Sequence, residues 1–158
     1  VRVGSSYRGS RLAYQDIPMA DLVHRRKALL ARKVDPNARI PYRAHELAAG
    51  YDLFALEDVA VPLMPSDPVA VRCGVAVALP LGHVGIVVPK PAVAIHGILL
   101  LLPIVEPDER REIILPVVAC RSYRKIYAGE PFAELVVVPY SMSGSRPVEV
   151  LPAPGEPR

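Results

Sequence analysis

The chain has no tryptophan and only two phenylalanines, so a hydrophobic content of 51% must build its core from Val, Leu, Ala and Ile. Cysteine is equally scarce. Cys73 and Cys120 lie far apart, form no Cys-x-x-Cys and have no histidines at zinc-ligand spacing, which excludes a zinc ribbon. Two buried, reduced thiols are the expected state. Long apolar runs are also missing: the most apolar, Ala92 to Val105, is broken by His96, Gly97 and Pro103. It falls short of the ~20 residues a membrane helix needs, so no membrane partner is expected. No signal-peptide pattern opens the sequence, and the protein is expected inside the cell, in cytoplasm or nucleus. No phosphate-binding Gly-x-x-x-x-Gly-Lys-Ser/Thr loop, no serine-hydrolase pattern and no internal repeat occurs, which excludes P-loop enzymes, α/β-hydrolases and solenoids.

Proline, by contrast, is abundant: 18 residues, roughly double ordinary usage. That density cuts helices short and favours strands joined by stiff turns. The formal charge of +3 is unevenly placed. Residues 1–45 hold ten Arg/Lys against three Asp/Glu, whereas the remainder is acidic by four charges.

Three segments follow. Residues 1–39 read as a basic arm with a short helix from about Met19 to Lys33, capped by Asp16 with Pro18 in its first turn. Its basic side chains, His24 to Lys27, Arg32 and Lys33, are either a solvated face or a contact for nucleic acid or an acidic surface. Residues 40–151 change to short apolar runs punctuated by Pro or Gly. Strands are expected near 52–56, 59–64, 68–71, 74–79, 84–88, 92–95, 98–105, 112–119, 134–139 and 147–151. Many short strands at this spacing predict an all-β sandwich or jelly-roll-like barrel. Residues 152–158 form a loose tail.

One stretch organises the rest: Ala49-Gly50-Tyr51-Asp52-Leu53-Phe54-Ala55. Taken alone it is a glycine turn entering a core strand, with one carboxylate at the strand's head. It also closely resembles the first signature of the dUTP pyrophosphatase (dUTPase) family. Three further blocks follow in that family's order: Gly85 to Ala94, Ile104 to Ile113, and Gly129 to Leu135. The resemblance covers roughly residues 40–151. It implies a dUTPase-like jelly-roll or β-clip barrel, a homotrimer with sites between subunits, and Mg2+ on a bound triphosphate, held through water by Asp52.

Departures from the family pattern are concentrated in the blocks that carry chemistry. The second signature's Pro-Arg-Ser stands here as Pro89, Lys90 and Pro91, which keeps a cation but loses a hydroxyl and an N–H. The third signature's aspartate, expected to orient the attacking water, is Glu106, followed by Asp108. These two are the candidate catalytic residues, vestigial or weak. The tyrosine expected to pack on the sugar is Glu109, and the fourth signature's glutamine is Glu134. With Lys90 and the base-reading hairpin beginning at Gly97 and Ile98, they complete the resemblance's substrate-binding set. The Gly-rich fifth signature, which closes over the nucleotide, has no match.

Three readings stay open at this stage. The first is a dUTPase-fold protein that has lost hydrolysis and acts as a binding or regulatory protein. Degenerate relatives occur in large DNA viruses and engage host proteins, so a viral origin, an infected host cell and a protein partner belong to this reading. The second is an active, divergent, Mg-dependent dUTP pyrophosphatase. The third is a trimeric structural or capsid-associated module whose basic arm contacts nucleic acid.

Overall fold

A computed structural model describes residues 28–64 and 67–141. Eleven strands and one short helix alternate along them: β1 (Leu30–Lys33), β2 (Tyr51–Phe54), β3 (Val59–Val61), β4 (Val69–Arg72), β5 (Val75–Ala78), β6 (His83–Pro89), α1 (Pro91–Ala94), β7 (Ile98–Leu100), β8 (Ile104–Val105), β9 (Ile114–Ala119), β10 (Arg124–Ile126) and β11 (Pro131–Pro139). The all-β expectation holds. All strand pairings are antiparallel, in sheets ordered β2-β11-β6-β8, β4-β9-β7, β1-β5 and β10-β3.

Period-two patterning places the core. Along β9, Leu115, Val117 and Ala119 are buried while the residues between them are more exposed. Leu53, Val61, Val71, Val87, Val117, Ile126, Phe132 and Leu135 are almost wholly enclosed. Each such side chain contributes about 1.5–3 kcal/mol by leaving water. With so few aromatics, Phe132 is the largest of them.

Several local expectations are corrected. The helix predicted to run to Lys33 does not reach it: residues 30–33 are β1, paired Leu30↔Ala78 through Lys33↔Val75. Its ladder to β5, with Ala31 packed on the core, overrides the stretch's helix propensity. The barrel therefore reaches into the segment assigned to the arm; residues 1–27 lie outside the described residues. The strand expected at 92–95 is instead α1, started by Pro91 in its first turn. The strand expected across 98–105 is two, separated at Leu101–Pro103. Strand β10 was not anticipated, because Arg124 and Lys125 hide its single enclosed residue, Ile126. The 147–151 strand and the 152–158 tail lie outside the described residues. Cys73 is buried as expected, but Cys120 is exposed; both thiols are free.

Candidate functional site

The central sheet brings three of the expected residues together. Asp52 of β2 sits opposite Glu134 of β11, which in turn sits opposite Val88 of β6. The turn before β2 is fixed by Gly50. A Cβ there would meet Glu134 Cγ and the Leu135 carbonyl oxygen, both at 2.7 Å, so only glycine lets the chain approach β11 so closely. Its N–H donates to Glu134 Oε1 at 2.9 Å. The Asp52 N–H donates to the Tyr42 carbonyl at 2.8 Å.

Lys90 follows the end of β6 and caps α1 with extended backbone, φ −64° and ψ 148°. The proline after it favours that conformation. Strand β11 bulges between Pro131 and Ala133, and the Phe132 carbonyl there accepts the Lys90 N–H at 2.9 Å. So held, Lys90 places its Nζ 2.7 Å from Asp52 Oδ1. Asp52 is only 6% exposed, the one charged residue in the buried core among the described residues. The hydrogen bond to Asp52 holds the Lys90 ammonium above its ordinary pKa. Burial opposes this, and the charges of Asp52 and then Glu134 add to it.

The third block folds on itself. Glu109 N–H closes a turn on the Glu106 carbonyl at 3.1 Å. The Glu109 carboxylate accepts the N–H groups of Arg110 (2.9 Å) and Arg111 (2.8 Å), and the Arg111 guanidinium grips both its oxygens. The Arg111 bond and the two backbone N–H groups lower its pKa from 4.5 to about 2. Glu106 and Asp108 are exposed. Beside them a cleft of about 370 Å³ runs between Leu102, Ile104 and Glu106 and the Glu112–Leu115 stretch. Glu112 was not anticipated. Its carboxylate accepts Arg72 Nε at 3.1 Å, Arg72 Nη2 at 3.0 Å and the Gly74 N–H at 3.0 Å. No local sequence signal marks a pair separated by 40 residues.

The expected base-reading residues are engaged within the chain. Ile98 is buried. Gly97, at φ +75°, donates to the Ala94 carbonyl, and its own carbonyl accepts the Cys120 N–H.

The expected residues thus fall into two groups. Glu106 follows β8, whose Val105 pairs with Gly85 at the far end of β6. Four residues along the strands and three strand spacings across the sheet separate it from Asp52, on the order of 20 Å measured along the sheet.

A family model described as dUTPase matches residues 36–153. The chain belongs to the dUTPase family. Among named relatives, the deoxyuridine 5'-triphosphate nucleotidohydrolase of Paramecium bursaria Chlorella virus 1 is 35% identical over 113 residues, covering 70% of this chain and 78% of the relative. That of Mycobacterium marinum (strain ATCC BAA-535 / M) is 45% identical over 67 residues, 42% of each chain. The chain thus matches less than half the length of the mycobacterial dUTPase.

Solved dUTPases share the fold. The Staphylococcus bacteriophage 80alpha dUTPase superposes with a TM-score of 0.72 at 21% identity, over 80% of this chain and 99% of the other. A dUTPase mutant from phage phi11 of S. aureus, described for its coordination of a structural Mg(II) ion, gives 0.69 at 22% identity, over 78% and 97%.

Among the described residues no helix is long and apolar enough to cross a membrane.

Proposed function

We propose that this dUTPase-family chain is a homotrimeric binding or regulatory protein that has lost, or nearly lost, dUTP hydrolysis. The observation that carries this reading is the closed state of Glu109. Where the family pattern has a sugar-packing tyrosine, this chain has a carboxylate folded onto its own loop and gripped by Arg111. A charged, internally satisfied group offers a deoxyribose no apolar platform. In the other group, Pro91 has no N–H for a phosphate oxygen, and the Lys90 ammonium already gives one of its three donors to buried Asp52. Catalysis depends on donors already aimed at the charge that develops, and each one lost costs about 3 kcal/mol in such sites.

The spacing of the site residues favours a trimer. One triphosphate cannot bridge the ~20 Å between Glu106 and Asp52 in a single chain. A composite site, with Asp52 and Lys90 from one copy and Glu106 from another, brings the two groups together. Leu99, Leu101, Leu102 and Tyr140, all substantially exposed in the single chain, are the residues such an assembly would cover.

The second reading, an active dUTP pyrophosphatase, is favoured by the 35% identity to the chlorella-virus nucleotidohydrolase and by the preserved Ala49 to Ala55 block. Pyrophosphate release from dUTP with Mg2+, read beside a calorimetric titration of dUTP, separates the two. Turnover far below about 1 per second is expected, and turnover at that ordinary enzymatic rate establishes the second reading.

At Asp52 the family's Mg2+ would meet a carboxylate that is already paired. Asp52 Oδ1 is taken by Lys90, and among the described residues no group of three or more His, Cys, Asp or Glu could hold a metal ion. The protein itself therefore offers no ready-made metal cage at Asp52. Partners of the basic N-terminal segment, whether nucleic acid, an acidic surface or a host protein, and an intracellular location remain part of the proposal.

A further inference from the structure

We infer that Lys90 is the resident cation of this site, its ammonium standing on Asp52 where a metal-borne water would otherwise be held. The inference is independent of whether nucleotide is hydrolysed.

Three observations converge on it. The first is that the main chain from which the ammonium extends is held in place. Lys90 is tied to the Phe132 carbonyl, and Pro91 restricts its torsions. The held main chain fixes where the side chain departs, and from there Nζ reaches Asp52 Oδ1 at 2.7 Å.

The second observation is burial. Asp52 is 6% exposed, and a carboxylate so enclosed needs a positive partner. The 2.7 Å contact supplies it from within the chain.

The third is the second carboxylate. Glu134 lies in register with Asp52 on the adjoining strand. Its Oε1 is committed to the Gly50 N–H. The Lys90–Asp52 bond thus sits beside a second carboxylate. A hard divalent ion held by one or two carboxylates and several waters would need the same space.

In consequence the free protein takes up no divalent ion at Asp52, and a phosphate-bearing ligand arriving there meets a positive charge already installed. Removing that charge leaves Asp52 and Glu134 facing each other with only water or an added metal to balance them.

The full chain is titrated with Mn2+, reading paramagnetic broadening of the amide signals of Asp52, Leu53 and Glu134 together with the free Mn2+ signal by electron paramagnetic resonance. In the wild type and in Lys90→Arg, those amides stay sharp. In Lys90→Met they broaden, with affinity for Mn2+ raised about tenfold or more, and adding Asp52→Asn to that variant removes the gain. Lys90→Gln, uncharged but still polar, is the second variant should Lys90→Met fail to fold, and it is expected to behave alike. Mn2+ broadening at Asp52 in the wild type overturns the inference without any variant. So does a Lys90→Met or Lys90→Gln protein that folds and gains nothing, or a gain that survives Asp52→Asn.

Discussion

Lys90 Nζ and Asp52 Oδ1 stand 2.7 Å apart although 38 residues separate them in sequence, and this contact ties the end of β6 to the start of β2 across β11. Removing one partner of such a pair leaves an uncompensated charge in a poorly solvated place. Lys90→Ala is expected to lower unfolding free energy by about 3 kcal/mol, the low end of the range for buried pairs because Lys90 is partly exposed. Asp52→Asn combined with Lys90→Ala should recover part of that loss. Urea unfolding of the four proteins measures it, and simple additivity of the two substitutions would show that the contact carries no energy.

Gly50→Ala should destabilise the chain by about 1–3 kcal/mol, the range for forcing a methyl into occupied space. The added carbon meets the Leu135 carbonyl as well as the Glu134 side chain. Shortening Glu134 therefore does not relieve the clash, and Glu134→Ala in the Gly50→Ala background should restore nothing.

Glu134→Gln tests charge apart from hydrogen bonding. A glutamine oxygen can still accept the Gly50 N–H, so stability should stay within about 0.5 kcal/mol of wild type. Glu134→Ala leaves that N–H without its partner and is expected to cost about 1–3 kcal/mol. Equal effects of the two substitutions in thermal unfolding would contradict the assigned bond.

The Glu109 carboxyl, lowered from 4.5 to about 2, makes a signed prediction. A carboxyl held below its unfolded value contributes stability that is fully present above about pH 4.5 and is lost as pH falls towards 2. Carbon-13 titration of the side chain should place its midpoint near 2. Arg111→Ala should raise that midpoint towards the ordinary range, and Glu109→Gln should flatten the acid limb of the stability profile.

The two thiols should differ in reactivity. Burial, reinforced by the Glu112 charge, pushes the Cys73 thiol well above its usual range, whereas Cys120 is exposed and bonds the Gly97 carbonyl through Sγ at 3.1 Å. A thiolate-trapping reagent should modify one cysteine in the native protein and both in denaturant. Rapid labelling of Cys73 without unfolding would contradict the packing around it.

The sequence was most legible where one residue carries its own reason. Asp52 behind Gly50, and a strand near residues 112–119, could be assigned without knowing any neighbour. It was least legible where a neighbour decides. Residues 92–95 are as apolar as a strand, but Pro91 starts a helical turn and Gly97, at positive φ, ends it. Residues 30–33 look helical until the exposed edge of β5 is known. At the site, the residue types of Lys90, Glu109 and Glu134 were evident, but not their partners. Whether an acid faces a ligand or folds back on its own loop is set by Arg111 and Gly50, and nothing local announces that.

Strand β1 changes how the protein can be dissected genetically. By composition, the obvious place to remove the basic segment is after residue 39. That cut would also tear out Leu30 to Lys33 and strip the rungs they share with β5, from Leu30↔Ala78 to Lys33↔Val75. A protein so shortened would answer a question about folding while seeming to answer one about electrostatics. Charge reversal within residues 1–27, with the strand left in place, keeps the two questions apart.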